Sequence, residues 1–81
     1  MKIYIGNLNY ETTDAELKAL FQEYGEVASL IVCTWRETGK PRGYGFCSMP
    51  NDAEANAAIA GLNGKEVGGR TLRVAEAHNQ D

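Results

Sequence analysis

The hydrophobic pattern of the chain begins with a period of two. In "KIYIG", residues 2–6, Ile3 and Ile5 alternate with Lys2 and Tyr4. This alternation is typical of a half-buried strand, and it places Tyr4 on the face opposite the isoleucines.

A helical period follows in "TTDAELKALFQEYG", residues 12–25. Its apolar side chains recur at intervals of three and four and would share one face of a helix: Leu17, Leu20, Phe21 and Tyr24. Thr13 and Glu16 predict a capping box at the start of this helix. Gly25 is the expected C-terminal stop.

Two strands separated by a charged loop come next. "VASLIVCTW", residues 27–35, is rich in β-branched residues and predicts a second strand. "RETGKPRG" reads as a loop, and "RGYGFCSM", residues 42–49, as a third strand that Pro50 ends. Strand parity sends Tyr44 and Phe46 to one face of this strand.

A second helix and further strands complete the pattern. Asn51 and Glu54 have the same spacing as Thr13 and Glu16 and predict the start of a second helix in "DAEANAAIAGLNG". The apolar stripe of this helix consists of Ala55, Ala58, Ile59 and Leu62. "KEV" predicts a short edge strand and "GGR" a turn. "TLRVAEA" predicts a last strand, with Leu72 and Val74 facing inward.

The resulting order, β-α-β-β-α-β, is that of a ferredoxin-like α+β sandwich. Two helices would cover one face of a four-stranded antiparallel sheet, and the opposite face, here called the open face, would meet solvent. Residues 1–77 are expected to form one domain and residues 78–81 a loose C-terminal tail, since 81 residues leave no room for a second core.

Composition agrees with an ordinary globular domain, at 43% hydrophobic and 23% charged residues. No apolar run approaches the ~20 residues of a membrane span, so we expect a cytoplasmic protein without membrane contact. Cys33 and Cys47 are too few for a disulfide framework and lack metal-site spacing, and parity places them on opposite faces of the sheet. We expect free thiols and neither a metal nor a cofactor.

The octamer "RGYGFCSM" resembles the K/R-G-F/Y-G/A-F-V-x-F/Y motif of the RNA-recognition motif family. "IYIGNL", residues 3–8, resembles the shorter motif of that family, with Tyr4 as its aromatic residue. The resemblance covers nearly the whole chain. It implies a strand order of 4-1-3-2 across the sheet, with the first and third strands as central neighbours, and it suggests a small bacterial-type RNA-binding protein.

The resemblance also implies how single-stranded RNA would bind. Three side chains, here called the aromatic trio, would stack on bases: Tyr4, Tyr44 and Phe46. Arg42 would contact phosphate, and Gly45 would allow close packing of the covered face. Further RNA contacts are expected from Lys2, Asn7, Trp35, Arg36, Lys40 and Arg73.

Four residues depart from the usual pattern of the family. Cys47 and Met49 replace valine and an aromatic residue, but parity turns both toward the helices, where they would fill the core. Ile31 and Trp35 add apolar surface at one end of the open face. Trp35 would extend the stacking platform, fold over the base of the loop, or take part in weak self-association.

A net charge of -3 and a pI of about 5.1, taken alone, argue against nucleic-acid binding. The predicted structure separates the charges, however. Six of the eight basic residues fall on the open face or in loops beside it: Lys2, Arg36, Lys40, Arg42, Arg70 and Arg73. Most carboxylates lie on or beside the helices, so the domain would be basic in front and acidic behind.

Three other functions compete with RNA binding. Single-stranded DNA could stack on the same rings, since stacking does not read the 2′-hydroxyl. A protein-interaction module could use Ile31 with Trp35, or the helices. An enzyme of the acylphosphatase type would need an arginine in its phosphate loop, which "GNLNYE" lacks, so we predict no enzymatic activity.

Overall fold

The structure is a computed structural model that describes residues 1–77. The elements in chain order are β1 Lys2–Gly6, α1 Asp14–Gln22, β2 Ser29–Thr34, β3 Pro41–Ser48, α2 Asp52–Leu62, β4 Glu66–Val67, β5 Arg70–Thr71 and β6 Arg73–Glu76. The predicted tail, residues 78–81, lies outside the described residues.

Four strands form one antiparallel sheet in the order β2-β3-β1-β6. This is the predicted 4-1-3-2 order read from the opposite edge, with β6 as the fourth strand of the sheet. In the centre, Tyr4 of β1 lies opposite Phe46 of β3. The ferredoxin-like prediction is therefore confirmed, and the two motif-bearing strands are neighbours.

Both helices pack on the same side of this sheet through one core. The buried side chains of that core are Ile3, Ile5, Leu8, Leu17, Phe21, Cys47, Met49, Ala55, Ala58, Leu62, Leu72 and Val74. Alanines on α2 allow its backbone to approach the sheet closely. Cys47 and Met49 are 1% and 0% exposed, so both fill the core as parity predicted.

The predicted capping box of α1 is confirmed, but its predicted stop is wrong. The hydroxyl of Thr13 accepts from the amide of Glu16 at 3.2 Å, and the Glu16 carboxylate accepts from the Thr13 amide at 3.3 Å. The helix ends at Gln22, and Gly25 does not have a positive φ. Gly25 instead leaves space for Glu54, whose carboxylate accepts from the amide of Glu26 at 3.2 Å.

The segment after α2 also differs from the prediction. "KEV" was expected to form an edge strand, but β4 pairs only with β5, in a separate two-stranded sheet. Gly68 and Gly69 join them with φ values of 60° and 82°, the backbone that a tight two-residue hairpin turn requires. This hairpin takes up Thr71, so the last strand of the main sheet begins at Arg73.

Neither helix in residues 1–77 is long and apolar enough to cross a lipid bilayer.

Candidate nucleic-acid interface

The aromatic trio forms one continuous surface in the middle of the open face. The ring centroids of Tyr4 and Tyr44 are 6.3 Å apart with an interplanar angle of 29°. Phe46 meets both rings edge-on, at centroid distances of 6.0 and 6.1 Å. Strand pairing brings these rings together, because Tyr4 lies opposite Phe46 and Tyr44 is two residues along β3 on the same face.

Each ring of the trio is half-buried, whereas Gly45, which lies between Tyr44 and Phe46 on β3, is buried. The rings therefore rest on the sheet with one side available to solvent. Burial raises the pKa of the Cys47 thiol to about 11, which keeps this thiol neutral and unreactive near neutral pH. Cys47 therefore packs in the core, on the side of the sheet opposite the trio.

Gly45 is required by the sheet itself. A Cβ at this position would overlap the carbonyl oxygen of Ile31 and lie 3.1 Å from the Cα of Val32. The sequence had assigned this glycine to packing of the covered face. The structure shows that its closest neighbour is the backbone of β2.

Lys2 stands at one end of the trio. Its Nζ lies 4.7 Å from the centroid of the Phe46 ring, a distance at which the ammonium is attracted by the ring face. A shallow cavity of about 180 Å³ lies beside this pair, and its lining includes Lys2, Ile31 and Phe46. A positive charge is thereby held next to a surface suited to a base.

Arg42 and Trp35 stand at the other end, and they contact each other. The guanidinium carbon of Arg42 lies 4.1 Å from the centre of the Trp35 ring, and its Nη1 donates to the Tyr44 hydroxyl at 3.2 Å. Arg42 thus joins Trp35 to the trio. Sequence reasoning named both residues as RNA contacts but missed their stacking on each other.

The loop between β2 and β3 carries the remaining predicted cations. Arg36 and Lys40 are exposed there, together with Glu37. The Trp35 amide donates to the carbonyl of Lys40 at 2.8 Å, and the Gly39 amide donates to the carbonyl of Trp35 at 2.7 Å. These bonds close the loop into a tight turn at the edge of the open face.

Asn7 is engaged within the protein. Its Nδ2 donates to the carbonyl of Thr71 at 2.7 Å, and its Oδ1 accepts from Arg70 at 2.8 and 3.3 Å. Asn7 therefore fixes β5 and the Arg70 guanidinium beside the end of β1. Arg70 was counted among the front cations but was not among the predicted RNA contacts, and no local sequence pattern indicates its pairing with Asn7.

Charge is segregated between the two sides of the domain. Arg73 is exposed on β6 beside the end of β1, which adds to the cations at Lys2 and Arg42. Each helix carries two carboxylates in its first turn: Asp14, Glu16, Asp52 and Glu54. Within residues 1–77 the one ion pair joins the amino group of Met1 to Asp52 at 3.6 Å, so no cation of the open face forms an ion pair with this part of the chain.

Metal chemistry has no candidate site in the described part of the chain. Residues 1–77 contain no group of three or more histidine, cysteine, aspartate or glutamate side chains placed to hold a metal ion.

A four-stranded sheet backed by two helices, with central aromatic rings and flanking cations, defines the class of domain that binds RNA on its open sheet face. Comparison with known families agrees with this class. The RNA recognition motif family matches residues 3–73, and the chain belongs to that family.

Relatives and solved structures agree with this assignment. RbpD of Nostoc sp., a protein named for RNA binding, is 52% identical over 77 residues, which are 95% of this chain and 82% of RbpD. A crystal structure of RNA Binding Protein PG1 superposes with a TM-score of 0.95 at 46% identity, covering 100% of this chain and 98% of that one. The structure of the Rna15 RRM with bound RNA (GU) gives a TM-score of 0.86 at 28% identity, covering 99% and 85%.

The family and these relatives are RNA-binding proteins and not enzymes, in agreement with the prediction from the sequence. RNA binding is therefore the function class of this domain.

Proposed function

We propose that the open face binds short single-stranded RNA by stacking two or three bases on Tyr4, Tyr44 and Phe46. The observation that supports this most strongly is the contiguity of the three rings, with centroids between 6.0 and 6.3 Å apart. An unpaired base offers two π faces, and each base stacked on an aromatic side chain contributes roughly 1–3 kcal/mol to binding.

Phosphate contacts come from the cations around the trio. Arg42 and Lys2 flank the rings at opposite ends, and their stacking on Trp35 and Phe46 limits the side-chain entropy lost on binding. Lys40, Arg36 and Arg73 add positive potential at the margins. Asn7 contributes by holding Arg70, and a direct bond from Asn7 to RNA would replace one of its present partners.

The acidic helices weaken this attraction without redirecting it. Binding is governed by local potential, and the carboxylates lie on the opposite side of the sheet from the trio. We expect modest affinity with a marked dependence on salt, because each phosphate contact releases condensed counterions.

Affinity measurements with a double variant test the proposal. Tyr44→Ala/Phe46→Ala removes two of the three stacking surfaces, so the affinity for a short fluorescent RNA is expected to fall about 30-fold or more. Tyr10→Ala is the matched control, since Tyr10 is a 66% exposed tyrosine in the loop after β1. Equal affinities of the double variant and the wild type would refute stacking on the trio.

The same titration with DNA of identical sequence tests whether the open face prefers ribose to deoxyribose. Stacking alone does not distinguish the two, so preference for RNA requires a contact to the 2′-hydroxyl. We expect RNA to bind more tightly. DNA binding with equal affinity would make single strands of either kind the ligand.

A second use of the open face is weak self-association through Ile31 on β2 and Trp35 just after β2, which are 56% and 48% exposed. Sedimentation velocity over a range of concentrations measures it. Dimers that dissociate on addition of RNA would support this use, and a monomer at all concentrations would exclude it.

A further inference from the structure

A cavity of about 370 Å³ lies beyond the aromatic trio, at the end of the open face. Its lining consists of Thr34, Trp35, Arg36, Glu37 and Arg42. This volume falls within the usual range of small-ligand clefts, about 300–1,000 Å³. The cavity adjoins the trio, because Arg42 both lines it and donates to the Tyr44 hydroxyl.

The aromatic wall of this cavity is fixed in position. Trp35 lies at the base of the loop, where its amide and its carbonyl are both bonded to the backbone of residues 39 and 40. The guanidinium of Arg42 lies over its ring at 4.1 Å. The indole remains 48% exposed, so it has surface left for a planar ligand.

The charges that line the cavity favour a base over a phosphate. Glu37 lines the cavity together with Arg36 and Arg42, and its carboxylate repels phosphate oxygens while it can accept from N–H groups. A base offers N–H donors for Glu37, acceptors for Arg36 and a flat face for Trp35. The site therefore suits the edge of a stacked base.

Among the four bases, guanine matches this arrangement best. Its N1–H and N2–H₂ groups are adjacent donors that can meet both oxygens of one carboxylate, a charge-assisted pair. Its O6 and N7 atoms are acceptors for guanidinium groups. Adenine, cytosine and uracil each offer only one donor group on the corresponding edge.

We propose that Trp35, Glu37 and Arg42 form an additional nucleotide site next to the trio, and that this site selects guanine. The inference rests on the proposed RNA binding by the trio and extends it by one base with a stated preference. Trp35 stacks on the base, Glu37 accepts from its donor edge, and Arg42 holds Trp35 in place.

The single tryptophan of the chain makes the site directly observable. Oligouridines of about six nucleotides, which is within the range that such surfaces span, would carry one guanine at each position in turn. We expect quenching of Trp35 fluorescence on binding. We also expect one position at which guanine raises the affinity about fivefold or more over uridine.

Variants separate base selection from general charge effects. Glu37→Gln is expected to lower the guanine-to-uridine affinity ratio toward one. Glu23→Gln, which removes an equal charge just after α1, should leave the ratio unchanged. Both positions are exposed, so neither change disturbs the core.

Two results would overturn the inference: unchanged Trp35 fluorescence at saturating RNA, or the same ratio in the wild type and Glu37→Gln. Either result would still be compatible with stacking on the trio, provided that Tyr44→Ala/Phe46→Ala loses affinity for every oligomer. Wild-type affinity in that double variant would instead mean that the proposed function itself has failed.

Discussion

Replacement of Gly45 by alanine tests how closely β3 packs against β2. Gly45 lies opposite Val32 in the sheet, and the added methyl group would overlap the carbonyl oxygen of Ile31. It would also lie 3.1 Å from the Cα of Val32 and 3.3 Å from the carbonyl carbon of Ile31. All of these are backbone atoms, so the methyl group fits only if the backbone of β2 moves away from β3.

The cost follows from two opposing effects. Overpacking of a buried site costs typically 1–3 kcal/mol. Alanine recovers about 0.4–1 kcal/mol by restricting the unfolded chain. We expect a net loss of about 1–2 kcal/mol in the free energy of unfolding, a large fraction of the roughly 4–12 kcal/mol available to a domain of this size.

Urea unfolding followed by circular dichroism measures this loss, with a lower midpoint and an unchanged slope expected. Gly6→Ala is the matched control, because the atoms nearest to a Cβ there belong to the Tyr4 ring, a side chain that can rotate. Gly6→Ala should cost less stability but weaken RNA binding by displacing Tyr4. Equal stability of Gly45→Ala and the wild type would refute the backbone-clash argument.

Three further predictions concern charge, ionisation and capping. Arg42→Ala should reduce the slope of log affinity against log salt by about 0.7, the value for one phosphate of a single strand, and Lys18→Ala on α1 should not change it. Burial raises the pKa of the Cys47 thiol from 9.0 to about 11. The thiol of the unfolded chain therefore ionises at lower pH than that of the folded chain, and the free energy of unfolding should fall as pH rises through this interval. Urea unfolding at each pH measures this fall, which should be smaller in Cys47→Val. Thr13→Ala should lower the melting temperature, since it loses a cap that contributes about 1 kcal/mol, and Thr13→Ser should restore most of it.

The elements that the sequence predicted well are those set by local patterns. Strand parity placed Phe46 on the open face and Cys47 in the core, because successive side chains of a strand alternate in direction. The capping box at Thr13 was predictable because both of its bonds lie within one turn. The joint match of two motifs then fixed which strands are neighbours.

Contacts between segments distant in sequence were not predictable in the same way. The pairing of Asn7 with Arg70 depends on how the β4-β5 hairpin docks beside β1, which no local pattern encodes. The stacking of Arg42 on Trp35 depends on the geometry of the loop that separates them. Gly25 looked like a helix stop, but its role is to accommodate Glu54 from the other helix.

Stacking of bases on the aromatic trio is tested most directly by an NMR titration of the wild-type protein with a short single-stranded RNA. We predict upfield shifts of the ring protons of Tyr4, Tyr44 and Phe46, because a stacked base shields them, while the amides of α1 and α2 remain nearly unchanged. Shifts confined to the helices, with the three rings unaffected at saturation, would contradict it.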